Sequence, residues 1–233
     1  LILFADTLFD ADLSLAQRLS DEWAGVIWAR EVEDYQRFGV IVTDERGGMK
    51  QIVEKPSEPI SKLANIGVYF IRDYKLLFEG IHATLQAEPG KGGEYYLTDA
   101  FQYMVDHGGP LQTAPVEGWY DAGKVETLLD TNGHLLMTSR GGVDAGARVE
   151  GVEVIEPVRI EAGAEVRGGR IGPNVTIEAG ARVVDCQLER VIVGHEATLE
   201  SCSLNDSLIG ARSRIEGVRG SVNLADDSEV RVD

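Results

Sequence analysis

Between Val149 and Ile215 the sequence places an aliphatic residue at every fifth or sixth position. The series runs Val149, Val154, Ile160, Val166, Ile171, Ile177, Val183, Leu188, Val193, Leu199, Leu204, Ile209 and Ile215, with Gly163, Gly172, Gly180, Gly194 and Gly210 close by. Neither the 3.6-residue period of a helix nor the strict alternation of a half-buried strand produces this spacing. A hexad repeat predicts a parallel β-helix, in which each hexad lays one short strand on one face of a coil. Its aliphatic residue then points inward onto its counterpart in the next coil. The steps of five predict slightly shortened coils.

Composition narrows the range of partners. The chain has 233 residues, 43% of them hydrophobic, enough for one or two real cores. A formal net charge of −17 argues against nucleic-acid or anionic-membrane binding through a general basic surface. It leaves room for a phosphate ligand held by local lysines or helix N-termini. Cys186 and Cys202 both fall inside the repeat, about one coil apart, and are expected to be reduced thiols. No signal peptide and no apolar run long enough to span a bilayer is legible, so a cytoplasmic location is the expectation. The chain opens without Met on the apolar run Leu1-Ile2-Leu3-Phe4-Ala5, which reads as a buried strand of a parallel sheet. The expectation from that run is that a segment precedes Leu1.

The front part reads as mixed α/β. Strands are expected at 1–5, 25–29, 38–42, 50–54 and 66–71. The pair 38–42 and 50–54 flanks the turn Asp44-Glu45-Arg46-Gly47-Gly48, a hairpin signal. A short helix is expected across Leu13–Leu19, a second after Thr98 as its N-cap, and a third over 125–137. Gly141-Gly142 marks the boundary. This divides the chain into 1–140, an α/β domain, and 141–233, the β-helix.

Four places in the front part carry candidate chemistry. Asp6 stands at the end of a strand, where a carboxylate can hold Mg²⁺ on a phosphate, although a lone Asp there is more often a cap or turn residue. Glu54-Lys55-Pro56 follows a strand: Glu54 can accept sugar hydroxyls and Lys55 can neutralise a phosphate, against the alternative of a surface ion pair at a turn. Asn65-Ile66-Gly67 offers an amide with both donor and acceptor beside a glycine that permits close approach, or simply begins a strand. Asp121, in Gly118-Trp119-Tyr120-Asp121-Ala122-Gly123-Lys124, could give a second metal ligand, with Trp119 packing beneath the site.

Taken in order, these segments are more specific than any one alone. Phe4-Ala5-Asp6, Arg37-Phe38-Gly39-Val40, Glu54-Lys55-Pro56, Ala64-Asn65-Ile66-Gly67-Val68-Tyr69, Gly93-Glu94 with Leu97-Thr98-Asp99, and Trp119-Tyr120-Asp121-Ala122-Gly123 together resemble the sugar-1-phosphate nucleotidyltransferases. The likeness is greatest to the long form of glucose-1-phosphate thymidylyltransferase, whose C-terminus is a left-handed β-helix. The fold this implies is a partial Rossmann-like nucleotidyltransferase domain with a mixed sheet, followed by a left-handed parallel β-helix of hexapeptide repeats. Asp6 and Asp121 then match the aspartates that bind catalytic Mg²⁺. Lys55 matches the lysine on the sugar 1-phosphate, and Glu54, Gly39, Asn65 and Gly67 line the sugar. The implied partners are a hexose 1-phosphate and a nucleoside triphosphate, dTTP or UTP. The implied reaction is attack of the sugar phosphate on the α-phosphorus with release of pyrophosphate. A homo-oligomer is implied as well.

The sequence departs from the family pattern at Ala5, where a Gly usually stands. It also contains no Gly-rich nucleotide-phosphate signature; Gly47-Gly48, Gly92-Gly93 and Gly141-Gly142 lack the strand–loop–helix context. The expectation is that these residues alone do not turn over. Two other readings compete. His195, the one histidine of the repeat, could be the base of an acetyltransferase acting on a nucleotide sugar, although a solvent-facing turn residue is the plainer reading. A non-catalytic regulatory homologue that binds nucleotide sugars is the third.

Overall fold

The computed structural model describes residues 1–232, the side chains of residues 91 and 139 excepted. The chain divides into two units, Leu1–Tyr120 and Asp121–Asp233, each described by itself.

The first unit is built on a six-stranded mixed sheet. Its strands are β1 (Ile2–Leu3), β3 (Gly25–Glu31), β4 (Gly39–Thr43), β5 (Met49–Glu54), β6 (Leu63–Ile71) and β7 (Leu111–Pro115), in the order β5-β4-β6-β3-β7 with β1 also pairing β6. β2 (Thr7–Asp10) pairs separately with β8 (Gly118–Asp121). Side-chain alternation sends Ile27 and Ala29 of β3 to one face and Val26 and Trp28 to the other, and both faces are covered. α2 (Tyr74–Gln86) and α3 (Leu97–Asp106) cover the first face with Leu77, Phe101 and Met104. Leu19, Trp23 and the segment around α1 (Leu15–Arg18) cover the second. Double coverage is why 25–29 is written as an unbroken apolar run.

Two local expectations change. The opening strand is not a buried strand of a parallel sheet: β1 is two residues long, runs antiparallel to β6, and leaves Leu1, Leu3 and Phe4 exposed. Thr98 is not an N-cap either. Tyr96 occupies that position without a side-chain cap, and Thr98 lies inside the first turn of α3, buried.

Along one flank of β6 run β4, which pairs at Ala64, and β1, which pairs at Val68 and Tyr69. Between them, among the described residues, the middle of β6 has no ladder partner on that side beyond the Phe4 N–H, which donates to the Gly67 carbonyl at 2.9 Å. The opposite flank is irregular at the same level, since Ile27 pairs with Tyr69 but Ala29 pairs with Asn65. Gly67 supplies the kink with φ +79°, and a Cβ there would sit 2.8 Å from the Phe4 ring. The candidate site occupies this gap.

The second unit opens with α4 (Val125–Leu135) and continues as a three-faced parallel β-helix. On one face Arg148 lies in register with Glu165, then Arg182, Thr198, Arg214 and Glu229. On the second, Glu153 leads to Arg170, Gln187, Ser203 and Arg219. On the third, Gly142 leads to Arg159, Thr176, Ile192, Leu208 and Asn223. Contacts between equivalent positions span 17 residues in the early coils, 16 in the middle and 15 at the end. Inside, the aliphatic series stacks on itself: Ile171 on Leu188 on Leu204, and Ile177 on Val193 on Ile209, all buried.

Corners need left-handed backbone, so Asp185, Ser201, Asn174 and Asp206 accept positive φ there. Gly210 serves a different need, because a Cβ on it would lie 2.3 Å from the Ala225 carbonyl carbon of the next coil. Cys186 and Cys202 are free, buried and adjacent, with the Cys202 N–H donating to Cys186 Sγ at 3.4 Å. Outside, Arg148, Glu165, Arg182 and Glu200 form a charge ladder at 3.1–3.7 Å whose exposure limits its worth.

α4 rests on the coils rather than apart from them. Thr176 donates to Asn132 Oδ1 at 2.6 Å. Arg190 binds Asp130 at 2.7 Å, donates to the Glu126 carbonyl at 3.2 Å and pairs with Asp206. The unit that holds the β-helix therefore begins at Asp121, ahead of the first hexads.

Candidate active site

Gly39 begins β4 directly opposite Glu54, the last residue of β5. A Cβ built on Gly39 would lie 2.3 Å from Asn65 Nδ2, 2.6 Å from Glu54 Oε2 and 2.9 Å from Thr98 Cγ2. Three side chains, from β5, β6 and α3, thus close on the α-carbon of Gly39 in β4 and occupy the space that a side chain there would need.

Each converging group is held. Asn65 Nδ2 donates to the Gly39 carbonyl at 2.9 Å, and the Tyr69 hydroxyl donates to Asn65 Oδ1. Thr98 Oγ1 donates to Glu54 Oε2 at 3.2 Å. Burial raises the Glu54 carboxyl above its ordinary value, and the Thr98 hydroxyl and Lys55 pull it back only in part. Tyr69 is 1% exposed, and burial pushes its phenol well above the ordinary value, so it stays a proton donor. Its ring lies between Phe4, 5.6 Å away edge-on, and Phe101, 4.7 Å away.

Lys55 follows Glu54 with φ +45°, an uncommon conformation for a residue with a side chain. Its N–H is anchored on the Phe38 carbonyl at 3.0 Å. Its ammonium lies 3.5 Å from Glu94 and 5.1 Å from the centre of the Tyr96 ring. Partial burial acts against its charge, but Tyr96 and Glu94 outweigh it and hold the ammonium above the ordinary lysine value. Such a cation, gripped weakly by an exposed carboxylate, can be transferred to an incoming phosphate at small cost. Trp119 packs edge-on against Phe38 at 4.9 Å, supporting the residue that leads into Gly39.

Of the residues singled out in the sequence, Gly39, Glu54, Lys55 and Asn65 stand together, and Gly67 shapes the strand beside them. Asp6 lies in the exposed turn between β1 and β2. Asp121 opens the second unit, where its Oδ1 accepts from the Gly123 N–H at 2.9 Å. Among the described residues no group of three or more His, Cys, Asp or Glu is placed to hold a metal ion. His195 is an exposed corner residue, its Nε2 3.4 Å from Glu196 and its N–H on Glu178. No helix is long and apolar enough to cross a membrane. Sequence reasoning quoted Thr98 and Tyr69 within matching segments but gave neither a role in the site. The Thr98-to-Glu54 contact spans 44 positions, which no local pattern reveals, whereas Tyr69 four residues past Asn65 was a legible signal.

Comparison with known proteins bears on the same residues. The family model described as "Nucleotidyl transferase" matches residues 1–138. A low-salt glycan biosynthesis nucleotidyltransferase of Haloferax volcanii is 36% identical over 143 residues, covering 59% of this chain and 39% of that protein. A bifunctional protein GlmU of Methanococcus aeolicus is 32% identical over 161 residues, 67% of this chain and 37% of the relative. A glucose-1-phosphate thymidylyltransferase of Streptomyces antibioticus is 32% identical over 155 residues, 59% and 42%. The chain thus spans about two fifths of the length of these relatives. With more than half of its residues matched by the family model, and the converging site inside the matched region, the chain belongs to the nucleotidyl transferase family.

Proposed function

We propose that this chain carries the sugar-phosphate half of a nucleotidyltransferase that joins a hexose 1-phosphate to a nucleotide and releases pyrophosphate. The observation that supports it is the packing of Glu54, Asn65 and Thr98 around the Gly39 α-carbon with Lys55 alongside. In this reading Glu54 accepts a sugar hydroxyl through the remaining lone pair of Oε2, the oxygen that lies beside Gly39 and accepts from Thr98. The Gly39 backbone lies against the ring, and Lys55 exchanges Glu94 for the 1-phosphate. Asp6 and Asp121 are assigned to Mg²⁺ through the family resemblance. Carboxylate oxygens are the donor set that ion takes, and when bound it would neutralise charge on the phosphates. Triphosphate binding is assigned to a Gly-rich segment that the sequence does not contain, so the 233 residues alone are proposed to be inactive. dTTP or UTP is the proposed triphosphate, with the β-helix as an assembly module of a homo-oligomer.

The test is calorimetric titration of the chain with glucose 1-phosphate and with N-acetylglucosamine 1-phosphate. Binding of one of them, weakened about tenfold or more in Lys55→Ala, is the expected result, a loss that matches one charge-assisted contact. Binding that ignores Lys55→Ala would remove the phosphate assignment. Pyrophosphate release by the chain alone would overturn the proposed inactivity.

A further inference from the structure

The Asn65 amide is not free to choose how it faces. The Gly39 carbonyl can only accept a hydrogen bond, so the Asn65 group 2.9 Å from it is the NH₂. That leaves Oδ1 on the other side, where the Tyr69 hydroxyl donates to it. Tyr69 in turn cannot swing away, because its ring is buried and flanked by Phe4 and Phe101. One N–H of the amide is spent on the Gly39 carbonyl; the second stays on the same nitrogen, which lies 2.3 Å from where a Cβ on Gly39 would stand. Beside it stands Glu54, an acceptor when ionised, whose Oε2 borders the same α-carbon and accepts from Thr98 with one of its lone pairs.

We infer that Tyr69 is a specificity-determining positioning residue: it locks the Asn65 amide so that the site presents one donor, Asn65, beside one acceptor, Glu54. This rests on the sugar-phosphate reading above. A ligand satisfying both carries a hydroxyl that donates to Glu54 and a neighbouring oxygen that accepts from Asn65. Vicinal sugar hydroxyls meet this demand, as does a hydroxyl beside an acylamino carbonyl. A positively charged amino group at the second position does not, since it has only donors. Tyr69 never touches the sugar and acts through the amide.

Two measurements on the 233-residue chain decide it. In the first, glucose 1-phosphate and its deoxy and deoxyfluoro analogues are titrated into the unaltered chain, Tyr69→Phe, Asn65→Ala and the double variant. At one ring position the deoxyfluoro sugar, which accepts but cannot donate, should outbind the deoxy sugar by about fivefold, and Tyr69→Phe should close that gap. Tyr69→Phe should weaken glucose 1-phosphate about tenfold alone and hardly at all once Asn65 is Ala, because its effect passes through the amide. Equal losses in both backgrounds would mark Tyr69 as merely structural and overturn the inference. In the second, which needs no ligand, the Asn65 side-chain NH₂ signals are followed by NMR. Slow exchange that Tyr69→Phe releases supports the lock, and unchanged exchange overturns it. If no sugar phosphate binds the unaltered chain, the substrate reading falls and takes the specificity role with it, while the NMR result still decides the lock. An unchanged circular dichroism spectrum certifies the fold of each variant.

Discussion

Gly39 and Glu54 face each other across the β4–β5 hairpin, and the space a Cβ on Gly39 would occupy ends 2.6 Å from the Glu54 carboxylate. The packing of these groups therefore depends on what Gly39 lacks. Gly39→Ala would drive a methyl group against Asn65 Nδ2, Glu54 Oε2 and Thr98 Cγ2 at once. We expect loss of sugar-phosphate binding together with a destabilisation of about 1–3 kcal/mol, the usual cost of overpacking a fitted site. Calorimetry and thermal melting of the variant check both. An alanine that binds normally would show that the ligand lies elsewhere.

Glu54 links this pocket to pH. Its carboxyl is raised above the ordinary 4.5 because burial disfavours the charge. The native state therefore holds that proton more tightly than the unfolded chain does. Its contribution to stability is complete below pH 4.5 and is lost as pH rises through the native value. Glu54→Gln, neutral throughout, escapes that loss, so its melting temperature should gain on the unaltered chain as pH climbs from about 4 to 7. Ligand affinity should move the other way in the unaltered chain, tightening over the same window as the carboxylate becomes able to accept. Asp99, also raised by burial, is present in both proteins, and its charge adds to the rise at Glu54. A pH-independent gap between the two melting curves would contradict the assignment.

In the β-helix, Leu188 is 2% exposed and stacked between Ile171 and Leu204. Leu188→Ala should cost about 2–5 kcal/mol, because flanking coils tied by backbone ladders cannot collapse into the void. Each coil contacts only its neighbours, so hydrogen exchange should accelerate first in the strands at 165–171, 187–189 and 203–209. Uniform acceleration along the whole solenoid would argue for a single cooperative block.

Arg190 is the clasp between α4 and the coils, bound to Asp130, Asp206 and the Glu126 carbonyl. Arg190→Ala leaves those acceptors without their guanidinium, at about 1–3 kcal/mol. The readout is amide exchange over 125–135, which should lose protection while the coil strands keep theirs. Full protection in the variant would assign the docking of α4 to the Thr176–Asn132 bond and packing alone.

The sequence displayed its periodic parts well and its convergent parts badly. All thirteen aliphatic residues of the hexad series point into the solenoid interior or pack against it, because one period governs every coil. The second inward residue on the third face, Val158, Val175 or Val191, escaped notice because it breaks the simple spacing. In the first unit the hairpin strands were readable from alternation and turn residues, but α2 was not. Its face is mixed, with Leu77 buried while Tyr74, Phe78 and Leu85 are exposed, which blurs the helical stripe. The opening apolar run suggested a buried strand, yet most of it lies exposed, since apolar sequence reports a demand for cover and not the element that supplies it. For the site, each motif was visible and its residues were assigned. The partners that orient them, Thr98 on Glu54 and Tyr69 on Asn65, come from tertiary placement.

The shortening of the coils from 17 residues to 15 gives the solenoid two ends of unequal perimeter. Yet the inward columns stay in register as the coils shorten, Val166 on Val183 on Leu199 on Ile215. The residue lost comes from a bend: three residues separate Ile171 from Val175, but two separate Leu188 from Val191. The strands therefore never feel the change of perimeter, and a repeat of this kind can lose residues where the chain turns without disturbing the core it stacks.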